Sequence, residues 1–318
     1  MLLSSRSIVR GTSKLSRTQA YHTLATRTPS FLADAEWLET PWESQPKHLD
    51  DQIVDILLTV PRFLAQTDAA RAEAHPLRKL VGILHSAQLC WDTDSALRKW
   101  RARLDAVEQG PLFRSEPSKL DTAADDDESG KLFPIAYRFP SFVLAQTMVI
   151  FWTCQTLVGS HLCRLYQGLS NMNADPNRLR LAPCTCKIVD SSSSADPEVR
   201  IQTCVRHFAL DKLPPLGSHE DWVANAAYEI CRSAEFFLEE NTRGFGPSCF
   251  FPTLRILRFL WRVLPGDWTR ELVWIEDIVA RIQARGNNVA RFTRTEADFY
   301  TRGGRVPGGV LAPISIDR

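Results

Sequence analysis

The chain lacks an excess of either charge: 38 basic residues stand against 37 acidic ones over 318 positions, a formal net charge of +1. That balance excludes the broad phosphate attraction on which a dedicated nucleic-acid-binding domain relies, and leaves any DNA contact to a local patch. Sustained alternation of apolar and polar residues is missing, as are persistent heptads and any internal repeat of about 34 or about 40 residues. A sheet protein, a coiled coil and a regular solenoid are therefore disfavoured. The sequence has no nucleophile elbow, phosphate-binding loop or dinucleotide fingerprint, and His219-Glu220 lacks the second histidine that a zinc protease places one turn further on. These absences argue against catalysis. The eight cysteines are dispersed through helical patterns in a chain without a secretory signal, which favours reduced thiols in the cytosol or nucleus over a disulfide framework.

What is present is helical patterning in a chain 44% hydrophobic and 24% charged, enough to bury one large core or two modest ones. The clearest pattern runs from Trp222 to Trp261. Trp222, Val223, Ala226, Ala227, Ile230, Ala234, Phe237 and Leu238 recur at three- and four-residue spacing, with Asn225, Glu229, Arg232 and Glu239 opposite. Ser218 and Asp221 resemble a capping box at the start, and Gly244, Gly246 and Pro247 are expected to stop this helix before a second, apolar one. Leu254, Leu257, Phe259, Leu260 and Trp261 spread around more than one face of that second helix, which suggests apolar surface left over for a partner.

Elsewhere, Ile53, Ile56, Leu57, Val60 and Leu64 form one face of a helix that Asp50 or Asp51 can cap and Pro61 is expected to bend or break. Leu77–Val107 reads as a long helix or a pair broken at Asp92-Thr93-Asp94, its later stripe made by Leu97, Trp100, Leu104 and Val107. Phe142–Tyr166 is the most apolar run, but Gln146, Thr147, Thr153, Gln155 and His161 interrupt it and favour a buried central helix over a membrane span. Glu198–Leu210 has a helical pattern. A last stripe of Trp268, Leu272, Ile275, Val279 and Ile282 lies in Asp267–Arg285, with Gly286-Asn287-Asn288 as its stop. Residues 109–132, with Asp125–Glu128, and 170–197, with Ser191–Ser194, read as two long polar loops, the first of them mobile. Residues 1–27, basic and rich in Ser and Thr, read as a flexible segment whose composition also suits a mitochondrial transit peptide. The domain is expected to span 28–300 and 301–318 to be a flexible tail. The fold class is all-α: an irregular domain of packed helical hairpins.

Three sets of residues carry a family resemblance: Pro29, Phe31, Leu32, Glu36, Trp37, Pro41 and Trp42; then Phe139-Pro140; then Ile230, Cys231, Arg232, Ser233, Glu235 and Phe236. Phe251-Pro252, Glu271 and Trp274 follow in the expected order. Together they resemble the regulatory domain of fungal zinc binuclear-cluster transcription factors, the fungal-specific transcription factor domain, over about three quarters of the chain. The resemblance implies a helical regulatory domain in the nucleus, without a catalytic residue or a cofactor, working through a transcription factor or co-regulator and often as a homo- or heterodimer. The family's DNA-reading module, six cysteines in two short clusters around two zinc ions, is not in this chain. Direct sequence-specific DNA binding and membrane insertion are accordingly not expected; an in-frame six-cysteine cluster in the genomic sequence upstream of Met1 would identify a shortened gene product.

Other chemistries compete less well. Cys184, Cys186, Cys204 and His207 have zinc-compatible spacing, yet Cys204 shares a helical face with Ile201, Val205 and Phe208, where a thiol packs as a small hydrophobe. Asp50, Asp51 and Asp55 approach the aspartate spacing of helical terpene cyclases, but no second metal motif faces them, and Asp50 and Asp51 suit a helix start. Trp37, Trp42, Trp222, Trp261, Trp268 and Trp274 would line a ligand pocket only if the fold gathered them; tryptophans at helical spacing are more often core. No metal site is assigned. A helical enzyme or a mitochondrial helical protein is the alternative.

Overall fold

The structure is a computed structural model that describes residues 17–43, 46–171, 213, 214, 216, 219–242, 244–264 and 266–285. It is all-α, with eight helices and one two-stranded sheet among those residues. Ser218, the side chain of Trp222, Glu198–Leu210, Gly286-Asn287-Asn288 and the 301–318 tail lie outside the described residues.

Helix α1 covers 17–26, so the basic N-terminal segment is not flexible throughout. It is tied down because Arg17 pairs with Asp50 at 3.2 Å and Arg27 with Asp68 at 2.5 Å. The chain then crosses a short segment of two 3-10 turns, Phe31–Ala33 and Thr40–Trp42, flanking α2, Ala35–Glu39. Ser30 starts it, its hydroxyl accepting from the Leu32 amide.

Helices α3, Leu49–Ala72, and α4, Pro76–Val107, form a hairpin. Pro61 does not break α3. A proline inside a helix costs roughly 3 kcal/mol. Ile53, Leu57, Leu58, Val60, Phe63 and Leu64 are buried on both sides of it, and each such side chain returns about 1.5–3 kcal/mol. Burial wins. His48, rather than either aspartate, is the N-cap of α3; Asp50 and Asp51 lie in its first turn. Nor does α4 break at Asp92–Asp94: the Thr93 hydroxyl donates to the Leu89 carbonyl at 2.8 Å and Asp94 pairs with Arg98 one turn on at 2.5 Å, so both polar groups are served within the helix. Leu97, Trp100 and Leu104 are buried, but Val107 projects past the core.

The stretch read as a mobile loop has a defined structure instead. Strand β1, Arg114–Pro117, pairs antiparallel with β2, Ile135–Arg138, in the register Arg114↔Arg138 to Pro117↔Ile135. Between them the acidic run makes turns: Asp125 accepts from the Thr122 and Leu132 amides, and Asp126 from the Glu128 and Ser129 amides. Arg270 then fastens this turn to the far helices by pairing with Asp126 at 3.2 Å.

Helix α5, Phe142–Asn171, is the centre of the molecule. It alone among the described helices is long and apolar enough to cross a membrane, and 83% of its most apolar window is buried inside the protein. It packs against α3, α4, α6 (His219–Phe237) and α7 (Phe245–Trp261), while α8 (Thr269–Ala284) closes on α7. All seven described stripe positions from Val223 to Leu238, on α6 and the residue that follows it, are buried, as the periodicity predicts. Its end differs from that reading. Helix α6 stops at Phe237, where the Thr242 hydroxyl donates to the Phe237 and Glu239 carbonyls, whereas Gly246 and Pro247 lie inside the first turn of α7. Proline is tolerated there because its missing N–H has no partner to lose.

Candidate functional site

The family-like residues of α6 meet the β-hairpin in a network of charges. Arg138 at the end of β2 donates to Glu235 at 2.6 Å, to Glu116 at 3.1 Å and to Glu239. Glu235 also accepts from the Ser118 hydroxyl and the Lys119 amide, each at 3.0 Å. One turn earlier, Arg232 donates to Glu229 at 2.6 Å, Tyr137 donates to the same carboxylate at 2.9 Å, and the Ser233 hydroxyl turns back to the Glu229 carbonyl. Burial opposes the charge on Arg138, but Glu116, Glu235 and Glu239 outweigh it and hold the guanidinium more firmly protonated than usual.

Beside the network is a cleft of about 10 Å³, lined by Ser118, Thr122, Asp125, Cys231, Glu235 and Trp274 among others. That is room for about one water molecule, not for a substrate. Its thiol is not a nucleophile either: burial, then the nearby Glu271, pushes Cys231 well above the usual thiol range. The charged groups here are spent on each other. What the arrangement does is mechanical, fastening the hairpin to α6.

The other sequence candidates fall in separate places. Asp50 and Asp55 are engaged by Arg17 and by Lys47, the latter at 2.6 Å, and Asp51 is buried. Burial raises Asp55 to about 6, with Lys47 pulling the other way. Cys184, Cys186, Cys204 and His207 lie outside the described residues, as do the side chains of His219 and Glu220. Among the described residues no group of three His, Cys, Asp or Glu side chains is placed to hold a metal ion.

The tryptophans whose side chains are described are not gathered around one pocket. Trp261 stacks on Trp268 at 6.2 Å, Trp274 meets Phe133 edge-on at 4.9 Å, and Lys47 lies over Trp42. Trp37 is 46% exposed and packs edge-to-face on Phe31, itself 56% exposed. On α7, Leu254, Leu257, Leu260 and Trp261 are buried, so of the five positions expected to leave apolar surface over only Phe259 does. Sequence reading missed the actual exposed aromatics: Phe31 with Trp37, and Phe245, which packs on Phe142 at 5.2 Å. Aromatic residues in a short irregular segment or a helix's first turn carry no periodicity from which to infer their exposure. Comparison with protein-family models, with curated proteins and with solved structures finds no match for this chain.

Proposed function

We propose that the chain is a non-catalytic transcriptional regulator, similar to the regulatory domain of fungal zinc-cluster factors, that acts in the nucleus through a protein partner: a second copy, a transcription factor or a co-regulator. The observation that supports this reading is that its middle and late family-like segments meet. Phe139 packs edge-on against Phe236 at 5.3 Å, Arg138 pairs with Glu235, and Tyr228 donates to the buried Glu271 at 2.8 Å. Segments far apart in the chain, each carrying part of the resemblance, are thus in mutual contact, as in a shared domain core. The exposed Phe31–Trp37 pair, from the earliest of these segments, supplies apolar surface of the kind that protein contacts use.

The test is to image the tagged full-length chain in its native cell and identify the proteins that co-purify with it in mild salt. The expected result is nuclear signal and a transcription factor or co-regulator in the eluate, lost when Phe31 and Trp37 are both changed to serine. A chain excluded from the nucleus, monomeric and without such a partner would overturn the reading.

A further inference from the structure

The earliest of the family-like segments is fastened to the body by one face and left bare on the other. Leu32 and Ala33 pack against the core, and the 3-10 turn that carries them lies on α3. Ser30 starts that turn, and the Asp34 carbonyl accepts from the Trp37 amide at 3.0 Å and the Leu38 amide at 3.1 Å. These bonds and the two anchors set the path of the chain. The rings of Phe31 and Trp37 lie outside the core, exposed, and meet only each other, edge-on at 5.4 Å.

Around that pair the charge has one sign. Between Thr28 and Pro46 the sequence has four carboxylates, Asp34, Glu36, Glu39 and Glu43, and no Lys or Arg. All four are exposed, and none faces a cation among the described residues. The bases that bracket the segment are committed elsewhere, Arg27 to Asp68 and Lys47 to Asp55. We propose that the Phe31–Trp37 pair with these four carboxylates is a docking surface for a basic amphipathic helix of a partner protein, its apolar stripe on the two rings and its flanking Lys or Arg facing the acids. The proposal rests on the partner-mediated role given above and specifies the chemistry of the partner.

Charge complementarity selects this occupant. Carboxylates lie on both sides of Trp37 in the chain, an apolar centre with a charged rim. A second copy offering the same patch would set like charges against each other, and a nucleic acid or an anionic lipid surface would be repelled. A cation is favoured twice, because the face of an indole also attracts it, as Lys47 over Trp42 at 4.9 Å shows within the same segment. Helix ends account for only part of the acidity. Asp34 and Glu36 suit the start of α2, although Asp34 makes no capping bond through its side chain. Glu39 caps nothing either, and Glu43 follows the last turn, at the carbonyl end where negative charge is disfavoured. Because the backbone is already ordered, docking incurs little ordering cost on this side.

The experiment uses the purified full chain and a dye-labelled synthetic peptide of about 18 residues, Leu on one helical face and Lys on the other, followed by fluorescence polarisation. The control peptide has Glu for every Lys. Saturable binding of the Lys peptide alone is expected, weakening as salt rises from about 0.05 to about 0.3 M. It should fall at least about tenfold when Phe31 and Trp37 are both changed to serine, and likewise in Glu36→Gln, Glu39→Gln, which leaves the rings in place. Asp127→Asn, Glu128→Asn, which removes two exposed acids from the hairpin turn, should bind as the natural chain does. No saturable binding, binding of both peptides alike, or equal loss in the hairpin variant overturns the surface. A dimer in sedimentation that the Phe31→Ser, Trp37→Ser change dissociates overturns it too, and assigns the rings to a second copy. A nuclear chain that captures a transcription factor through these rings yet ignores the Lys peptide would overturn the basic helix and leave the regulatory role standing.

Discussion

Arg138 is the side chain on which most of the hairpin's attachment depends, since it binds three carboxylates at once, of which Glu235 belongs to α6 and Glu239 lies just past its end. Removing it strands the largely buried Glu235 beside two like charges. Arg138→Met is expected to lower stability by roughly 1–3 kcal/mol, read as a fall in melting temperature, and Glu235→Gln in the same background should recover part of the loss. Ile230, fully buried on α6, is the apolar counterpart, and Ile230→Ala is expected to cost roughly 2–5 kcal/mol. An unchanged melting temperature would mean that this face is not packed. Asp55 gives a pH signature. Its carboxyl is raised from 3.8 to about 6 by burial, so the folded state holds the proton more tightly than the unfolded one. Stability assigned to this group is then greatest below the unfolded value and falls as pH rises through about 6, the reverse of an ordinary paired carboxylate. Carbon-detected NMR titration should place its midpoint near 6, and Asp55→Asn should flatten the stability slope between about 4 and about 6; a midpoint near 4 removes the claim.

Helices whose stripes serve one core were legible in the sequence, since a three- or four-residue recurrence such as Val223, Ala227, Ile230 and Ala234 is fixed by helix geometry alone. Helix interruptions were not. Pro61 and Asp92–Asp94 are local signals for a break; the first lost to tertiary burial, whose strength a local window does not contain, and the second to side-chain bonds made within the helix. The hairpin was hidden for a related reason: β1 and β2 are four residues each, and their register depends on Phe133, Tyr137 and Phe139 finding Tyr228, Trp152 and Phe236 far away in the chain. Glu235 was legible as part of a family-like motif, but not as the acceptor for Arg138. The α3–α4 hairpin offers its own test at Gly82, where an added Cβ would lie 2.5 Å from the Cβ of Ala70 across the interface. In a helix that opposes nothing, glycine to alanine gains about 1 kcal/mol. Here the overlap is between two packed helices and neither methyl can swing away, so Gly82→Ala is expected to be destabilising, by about 1–3 kcal/mol in chemical denaturation. A more stable variant would show that the two helices separate easily.

For the molecule as a whole, what matters is where the positive charge is already committed. Arg17, Arg27, Arg138, Arg232, Arg258, Arg270 and Arg281 each face a carboxylate of the same chain. A phosphate backbone would have to compete with those partners at each step, and the remaining net charge of +1 supplies no long-range pull. A base-reading helix needs several such backbone contacts to set its position in the groove. The purified chain is therefore expected to show weak retention of DNA duplexes at low salt, similar for unrelated sequences and gone by about 0.2 M salt, as counterion release requires of a purely electrostatic contact. Mobility-shift titrations at two salt concentrations decide it. Tight, sequence-dependent retention at the higher one would mean that a DNA-reading surface exists in this chain, and the partner-mediated role proposed above would have to give way to direct recognition.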